Sequence, residues 1–293
     1  MSYSVFTDTS ANLLNRDVKA CGLHVLPLSY YIDGVENTCL DTDSFDAEGY
    51  YAAIKSGVQV TTSQISPQMF IDAFTPELEK GQDIIFVSMA AGISGSCSSA
   101  GIAANQLRED FPGRRIEIID TKAASLGEGL LALKAAELRD AGTGIEEAAE
   151  ILNNMVKCMC QIFTVDDLMH LRRGGRLSNL SAIVGTVLHI KPLLKGSSEG
   201  KIVAFAKIRG RKRSIEAIAE RYDRLVKDPE KQVVGIAHAA CRGDAEYLIS
   251  LIKKNRAPKD IMLVDYEPVT GSHVGPGALA LFFLGDENVR EAD

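Results

Sequence analysis

Five short polar runs carry side chains that could do chemistry. Ala91-Gly92-Ile93-Ser94-Gly95-Ser96 lies between an apolar run, DIIFVSM, and a helix-patterned segment. Small residues and hydroxyls at a strand-to-helix turn leave backbone N–H groups pointing outward. The helix N-terminus adds partial positive charge, so an anion is favoured there. The same residues also suit a plain helix cap, with Ser94 or Ser96 as the capping side chain. The run is not a nucleophile elbow, because G-x-S-x-G would need Gly at position 96, nor a P-loop, because no G-K-[ST] follows. Thr61-Thr62-Ser63-Gln64 stands ahead of Ser66-Pro67. Three hydroxyls and an amide before a helix start can donate to an oxyanion or serve as loop and capping-box material.

Gly271-Ser272-His273-Val274-Gly275-Pro276-Gly277 reads as a Gly/Pro-rich loop, which fixes backbone shape and places one side chain. His273 could donate to a carboxylate, polarise it or act as a base, the alternative being an incidental surface histidine. His24, His170, His189 and His238 lack such a setting and read as structural. In Asp166-Asp167-Leu168-Met169-His170-Leu171-Arg172-Arg173-Gly174-Gly175-Arg176, two carboxylates precede arginines and a Gly-Gly turn, a set suited to metal, phosphate or an acidic partner. Adjacent residues point apart on a helix or strand, so a capping role fits Asp166 or Asp167 better than shared metal ligation. Thr7-Asp8-Thr9-Ser10 ends the first apolar run, at the strand end where open α/β sheets bind ligands, or is another helix cap.

Positioning these runs requires strands alternating with helices. YSVFTDTS, DIIFVSM and RIEIIDT read as strands, with helices over 67–80, 96–110 and 123–141, a pattern of parallel βαβ units with right-handed crossovers. Further on, a helix near 145–157 leads into strand QIFTVDDL, and KPLLKGSSEGKIVAFAKI reads as a hairpin about a Gly-Ser turn. Helices over 213–226 and 244–254 then alternate with strands QVVGIAHA, IMLVDYEPV and GALALFFL, implying a mixed sheet. The expectation is an α/β protein of two lobes, 1–160 and 161–293. The C-terminal strand near 273–284 is a candidate to return to the first lobe.

Bulk properties narrow the class. No apolar run reaches the roughly 18 residues that span a bilayer, and the N-terminus lacks the basic start and apolar stretch of a signal peptide. These features predict a cytoplasmic protein without stable membrane insertion, leaving room for transient membrane contact. Cys21, Cys39, Cys97, Cys158, Cys160 and Cys241 form no C-x-x-C pair and read as reduced thiols, with Cys158 and Cys160 sharing one face if both lie on a strand. No metal site is expected. The net charge of −7 hides an asymmetry: 172–213 holds eleven basic residues against Glu199 alone, a local +10 that leaves −17 elsewhere. A concentrated basic region in an acidic protein is aimed at something negative or is simply a solvated face. Nucleic acid is disfavoured, since aromatics are sparse there and the remaining charge repels a long polyanion.

Taken in order, the motifs resemble the DegV family, the fatty-acid-binding proteins that serve as the B subunit of bacterial fatty acid kinase. The resemblance covers essentially the whole chain: TDTSANL at 7–13, TTSQISP at 61–67, SGS at 94–96, IIDTKAASLGEG at 118–129, DDLMHLRRGGRL at 166–177, KPLL at 191–194, KIRGRKR at 207–213 and SHVGPGAL at 272–279. It implies a two-lobed fold with a parallel βαβ N-terminal lobe, a mixed-sheet C-terminal lobe and a fatty-acid tunnel between them. Thr62 and Ser94 would then hold the carboxylate, supported by His273 and Arg173. Asp8, Ser63, Gly95 and Gly275 would belong to the supporting loops. The family's kinase subunit phosphorylates the bound carboxylate to an acyl phosphate with ATP that it binds itself. This chain would thus be a substrate-binding subunit without cofactor or enzyme activity of its own. Thr9 stands where Ser is frequent, Ser96 where Thr is common, and Ile65 where Pro is frequent; no donor is lost.

A carboxylate in an apolar tunnel needs charge-assisted donors worth roughly 1.5–3 kcal/mol each, and each methylene of a bound chain adds about 0.8 kcal/mol. Arg176, Lys207 and Arg209 are expected to dock the kinase's acidic surface or accompany its ATP. The competing expectation is a stand-alone serine-type lipid hydrolase using Ser94 and His273.

Overall fold

A computed structural model describes residues 3–178 and 190–291, so His189 lies outside the described residues. In chain order come β1 (Tyr3–Asp8), α1 (Asn15–Ala20), β2 (His24–Leu26), β3 (Ser29–Ile32), β4 (Val35–Thr38) and α2 (Ala47–Lys55). Next are β5 (Val60–Ser63), α3 (Pro67–Glu79), β6 (Asp83–Ser88), α4 (Ser96–Asp110), β7 (Ile116–Asp120), α5 (Leu126–Asp140) and α6 (Ile145–Cys158). They are followed by β8 (Met159–Thr164), α7 (Leu168–Arg173), β9 (Ile190–Gly196), β10 (Ile202–Arg209) and α8 (Arg211–Leu225). The last are β11 (Val233–His238), α9 (Arg242–Arg256), β12 (Asp260–Asp265), α10 (Pro268–Val274) and β13 (Leu279–Leu284).

The chain forms two compact units, one of residues 1–45 and 61–156, the other of 46–60 and 157–293. In the first unit β2-β1-β6-β7 make a parallel sheet. Every residue of β1 and β6 is buried, which is why both read as unbroken apolar runs: a parallel sheet is covered on both faces. Phe86 of β6 packs edge-on against Phe70 of α3 with centroids 4.9 Å apart, and Phe74 lies tilted against both. Ser66 caps α3 and Pro67 opens it, so the strand-to-helix turn after β5 has a fixed start. A smaller sheet, β4-β3-β5, includes the β3–β4 hairpin, whose turn residues Asp33 and Gly34 both take positive φ.

In the second unit the strand order is β10-β9-β8-β13-β11-β12, antiparallel except for β11 beside β12. Helices α8 and α9 lay Ile215, Ile218, Tyr222, Leu248 and Ile252 against Ile162, Leu193, Ile236, Leu281 and Phe283. Each such side chain contributes about 1.5–3 kcal/mol on burial.

The division departs from the expected lobes in three places. The C-terminal strand does not return to the first unit: β13 is central, pairing Leu279 with Thr164 on one side and Phe282 with Gly235 on the other. Segment 46–60 belongs with the second unit, because Tyr51 is buried there with its hydroxyl donating to Tyr266 O at 2.7 Å. The later crossing falls at 156/157, where α6 runs into β8. Cys158 therefore ends a helix while Cys160 sits on a strand, so the two do not share a strand face. All six cysteines are free.

Candidate functional site

In the first unit two of the hydroxyl-bearing runs meet. Beyond β5 the chain lies along the first turn of α4, where Ile65 N–H donates to Ser96 Oγ at 3.2 Å and Gln64 Nε2 donates to Ser99 Oγ at 3.0 Å. Thr62 and Ser63, half-buried, are the last strand residues before this seam. Gly95 must lack a side chain for reasons of space: its φ of −79° is ordinary, but a Cβ would collide with the Gln64 amide. Ser94 caps the turn in its own way, its Oγ accepting Ser96 N–H at 3.2 Å. Ser94 N–H in turn donates to Ala90 O, and Ala91 N–H donates to Asp120 Oδ1. Half-buried Thr62, Ser63 and Ser94 and buried Ser96 and Ser99 thus surround the N-terminus of a fifteen-residue helix, whose first N–H groups carry the positive end of its dipole.

Asp8 is a support rather than an exposed ligand. It is fully buried and caps the turn Thr9–Ala11, accepting from Ser10 N–H at 2.8 Å. Ser10 Oγ lies 2.5 Å from Asp8 Oδ1 and 2.6 Å from Glu128 Oε2, while Thr7 Oγ1 donates to Glu128 Oε1 at 2.9 Å. One hydroxyl proton cannot serve two carboxylates, so the arrangement requires a proton on one of the carboxyls. Burial accordingly pushes Asp8 up to about 6, against the opposing hydrogen bonds from Ser10 and Met89.

The second unit places His273 in the last turn of α10, not in a loop as the glycines had suggested. The helix is set by Pro268 at its start and by Glu267, whose two oxygens accept from Val269 N–H at 2.6 Å and Thr270 N–H at 2.5 Å. His170 Nε2 lies 2.5 Å from Ser272 O, and a carbonyl only accepts, so Nε2 carries the proton and pins the turn next to His273. Gly174 backs onto the His273 ring, where a Cβ would be crowded at 3.0 Å from Nδ1, and Gly275 backs onto the His170 ring without room for a Cβ. Burial first, then the Arg176 guanidinium and His170, pushes His273 down to about 4. It is therefore neutral at pH 7, able to offer one donor and one acceptor.

The arginines separate. Arg176 donates to Gly174 O at 2.6 Å and faces His273 closely enough to depress its pKa. Arg173 is 62% exposed and pairs with Asp167 at 3.5 Å. Asp167 caps α7 through Met169 N–H, while Asp166 meets Lys191 at 2.7 Å and Arg211 at 3.7 Å, so the two aspartates serve different partners. Lys207 and Arg209 stand exposed on β10, an edge strand that such charges protect from further pairing. His24 stacks on Phe6, and buried His238 faces Asp265 at 3.0 Å. Among the described residues no group of three His, Cys, Asp or Glu side chains could hold a metal, and no helix is long and apolar enough to cross a membrane.

Gln64 and Ser96 stand out in the sequence only within their own runs, not as the residues that join them, and Glu128 and the pinning role of His170 do not stand out as parts of a site. Only Glu128 had a usable signal, as an acid flanked by glycines in an otherwise apolar helix start.

Two opposed pH dependences of stability follow. His273 is depressed below its unfolded value of 6.5, so its contribution is full above that pH and is lost as pH falls toward 4. Asp8 is raised above 3.8, so its contribution is full below that pH and is lost as pH rises through 6. Thermal unfolding from pH 4 to 8 should show the acid-side loss flattened in His273→Gln. The loss on the neutral side, on the order of 2–3 kcal/mol, should be flattened in Asp8→Asn. Parallel profiles for wild type and either variant would remove that residue from the account.

A family profile described as "Uncharacterised protein, DegV family" matches residues 2–286. A DegV domain-containing protein of Clostridium perfringens is 36% identical over 288 residues, covering 97% of this chain and 98% of its own. Among solved structures, a DegV family protein of Thermus thermophilus described by its fatty acid binding is similar with TM-score 0.88 and 26% identity, covering 98% of this chain and all of that one. A DegV family protein of Ruminococcus gnavus, described with vaccenic acid, is similar with TM-score 0.84 and 26% identity over 96% of this chain and 99% of that one. With one profile spanning nearly every residue and a relative matched almost end to end, this chain belongs to the DegV family.

Proposed function

We propose that this protein binds a long-chain fatty acid by its carboxylate and presents it to the catalytic subunit of a fatty acid kinase, which phosphorylates it to an acyl phosphate. The observation that carries the binding half is the seam of hydroxyls at the N-terminus of α4, in a chain whose relatives from Thermus thermophilus and Ruminococcus gnavus are described with fatty acids. Thr62 and Ser94 donate to the carboxylate, and neutral His273 supplies a further hydrogen bond. Arg173 adds positive charge. Ser63, Gly95, Asp8 and Gly275 shape the loops. Hydroxyls and a neutral imidazole suit a carboxylate that must afterwards act as a nucleophile, since full pairing with fixed cations would blunt it.

The presentation half is supported by the concentrated positive charge of 172–213, with Arg176, Lys207 and Arg209 meeting an acidic kinase surface or its ATP. That reaction places the protein in the cytosol, where ATP is available. The ligand is the fatty acid itself, and no cofactor takes part.

Mass spectrometry of lipid extracted from the purified protein, followed by uptake of added vaccenic acid, tests the binding half. A preparation that is lipid-free and takes up none overturns it. Turnover of acyl esters that Ser94→Ala abolishes would instead establish a hydrolase. For the docking half, Arg176→Glu should preserve lipid uptake while lowering kinase-dependent acyl phosphate formation. Unchanged formation would refute docking through this residue.

A further inference from the structure

We propose that Ser96 is a positioning residue that makes Ser94 an obligate hydrogen-bond donor toward a bound carboxylate, an inference that rests on the fatty-acid reading above. Ser96 opens α4 and is fully buried. Its Oγ accepts Ile65 N–H at 3.2 Å and lies 3.2 Å from Ser94 Oγ. Ser94 Oγ also accepts Ser96 N–H at 3.2 Å.

Each hydroxyl has one proton to give and two lone pairs to receive. Two proton arrangements satisfy the distances. If Ser94 donated to Ser96, the Ser96 oxygen would accept twice and its own proton would be left in the interior without an acceptor, a costly state. If Ser96 donates to Ser94, its proton is satisfied. The Ser94 oxygen then accepts from both the N–H and the O–H of Ser96, which fills both lone pairs. Only the Ser94 proton is left over, and Ser94 is half-buried, so that proton can reach a ligand.

The result is a one-way relay: Ile65 N–H to Ser96 Oγ, Ser96 O–H to Ser94 Oγ, Ser94 O–H to the ligand. Each bond polarises the next, which strengthens the terminal donor. Such a group favours an acceptor without protons, as a carboxylate is, over a hydroxyl that would waste its own proton there. The specificity for the acid form thus begins at a backbone amide of a neighbouring loop.

The experiment compares vaccenic acid with its primary alcohol as ligands for wild type, Ser94→Ala, Ser96→Ala, Ser96→Cys and Ser96→Thr, with thermal unfolding as the folding control. In Ser96→Ala the acid should bind about tenfold more weakly while the alcohol changes little, because Ser94 is then free to rotate. Ser96→Cys, of nearly equal volume but a weak donor, should show the same loss of preference, and Ser96→Thr should restore it. Equal weakening of acid and alcohol in both Ser96→Ala and Ser96→Cys would reduce Ser96 to packing and overturn the proposal. If Ser94→Ala weakens acid binding but no Ser96 variant does, the relay is wrong while the fatty-acid reading stands. If wild type binds no acid, that reading falls first.

Discussion

Thr62→Val combined with Ser94→Ala is expected to weaken fatty-acid binding by two to four orders of magnitude without unfolding the protein. A hydroxyl donating to a carboxylate in an apolar surrounding contributes roughly 1.5–3 kcal/mol, so losing two removes about 3–6 kcal/mol. Each single variant should lose about 10- to 150-fold. Valine keeps the β-branched shape that β5 accommodates, and alanine at 94 leaves the backbone bonds from Ile93 and Ser94 to Ala90 intact. The fold should therefore hold, with the unfolding temperature lowered modestly because Ser96 loses its acceptor on Ser94. Residual binding reflects the acyl chain and the free N–H groups of α4, which neither change touches. Titration with vaccenic acid decides the matter: a double variant within threefold of wild type would show that these hydroxyls do not hold the carboxylate.

The second large effect concerns backbone geometry. Gly275 ends α10 at φ 79° and ψ 169°, a region essentially reserved for glycine, and a Cβ there would press into the His170 ring. Gly275→Ala meets both penalties, about 1–3 kcal/mol of backbone strain and a similar amount of overpacking. Relief by turning His170 would break its bond to Ser272 O, which holds the turn carrying His273. A loss of about 2–5 kcal/mol is expected, seen as a lower unfolding temperature together with weaker lipid uptake. His170→Ala introduced alongside should recover the packing part and leave the dihedral part. A Gly275→Ala protein as stable as wild type would mean that this turn is more plastic than its geometry implies.

Legibility followed the range of the forces involved. Strand β6 was plain in DIIFVSM because both faces are buried, and α4 was bounded correctly by its spacing and by the glycines before it. The hairpin of β9 and β10 was equally local, with its register irregular only between Ala204 and Ala206. Helix α10 was hidden because Gly271 and Gly275 resemble loop residues. Gly271 in fact makes room for the Tyr51 hydroxyl, which comes from far upstream. The placements of α2 and β13 likewise depend on partners that no local pattern names. At the site, the two hydroxyl runs were each visible, but their joining through Ile65 N–H and Ser96 Oγ was not. Nor was the pairing of Asp8 with Glu128 through Ser10, since a lone acid in a helix gives no hint of a partner at the end of a strand.

The crossing of the chain at 45/46 and again at 60/61 bears on how the protein is made. Helix α2 emerges from the ribosome early, yet the surface that covers Tyr51 includes Tyr266, 215 residues later. At typical synthesis rates of about 5–20 residues per second, Ala47, Tyr51 and Ile54 wait on the order of 10–40 s for their neighbours. The first unit, by contrast, has all its strands by residue 120. Expression of 157–293 alone would omit Tyr51 and leave a vacancy against Gly271, whereas a permuted chain supplying 46–60 from its other end would fill it.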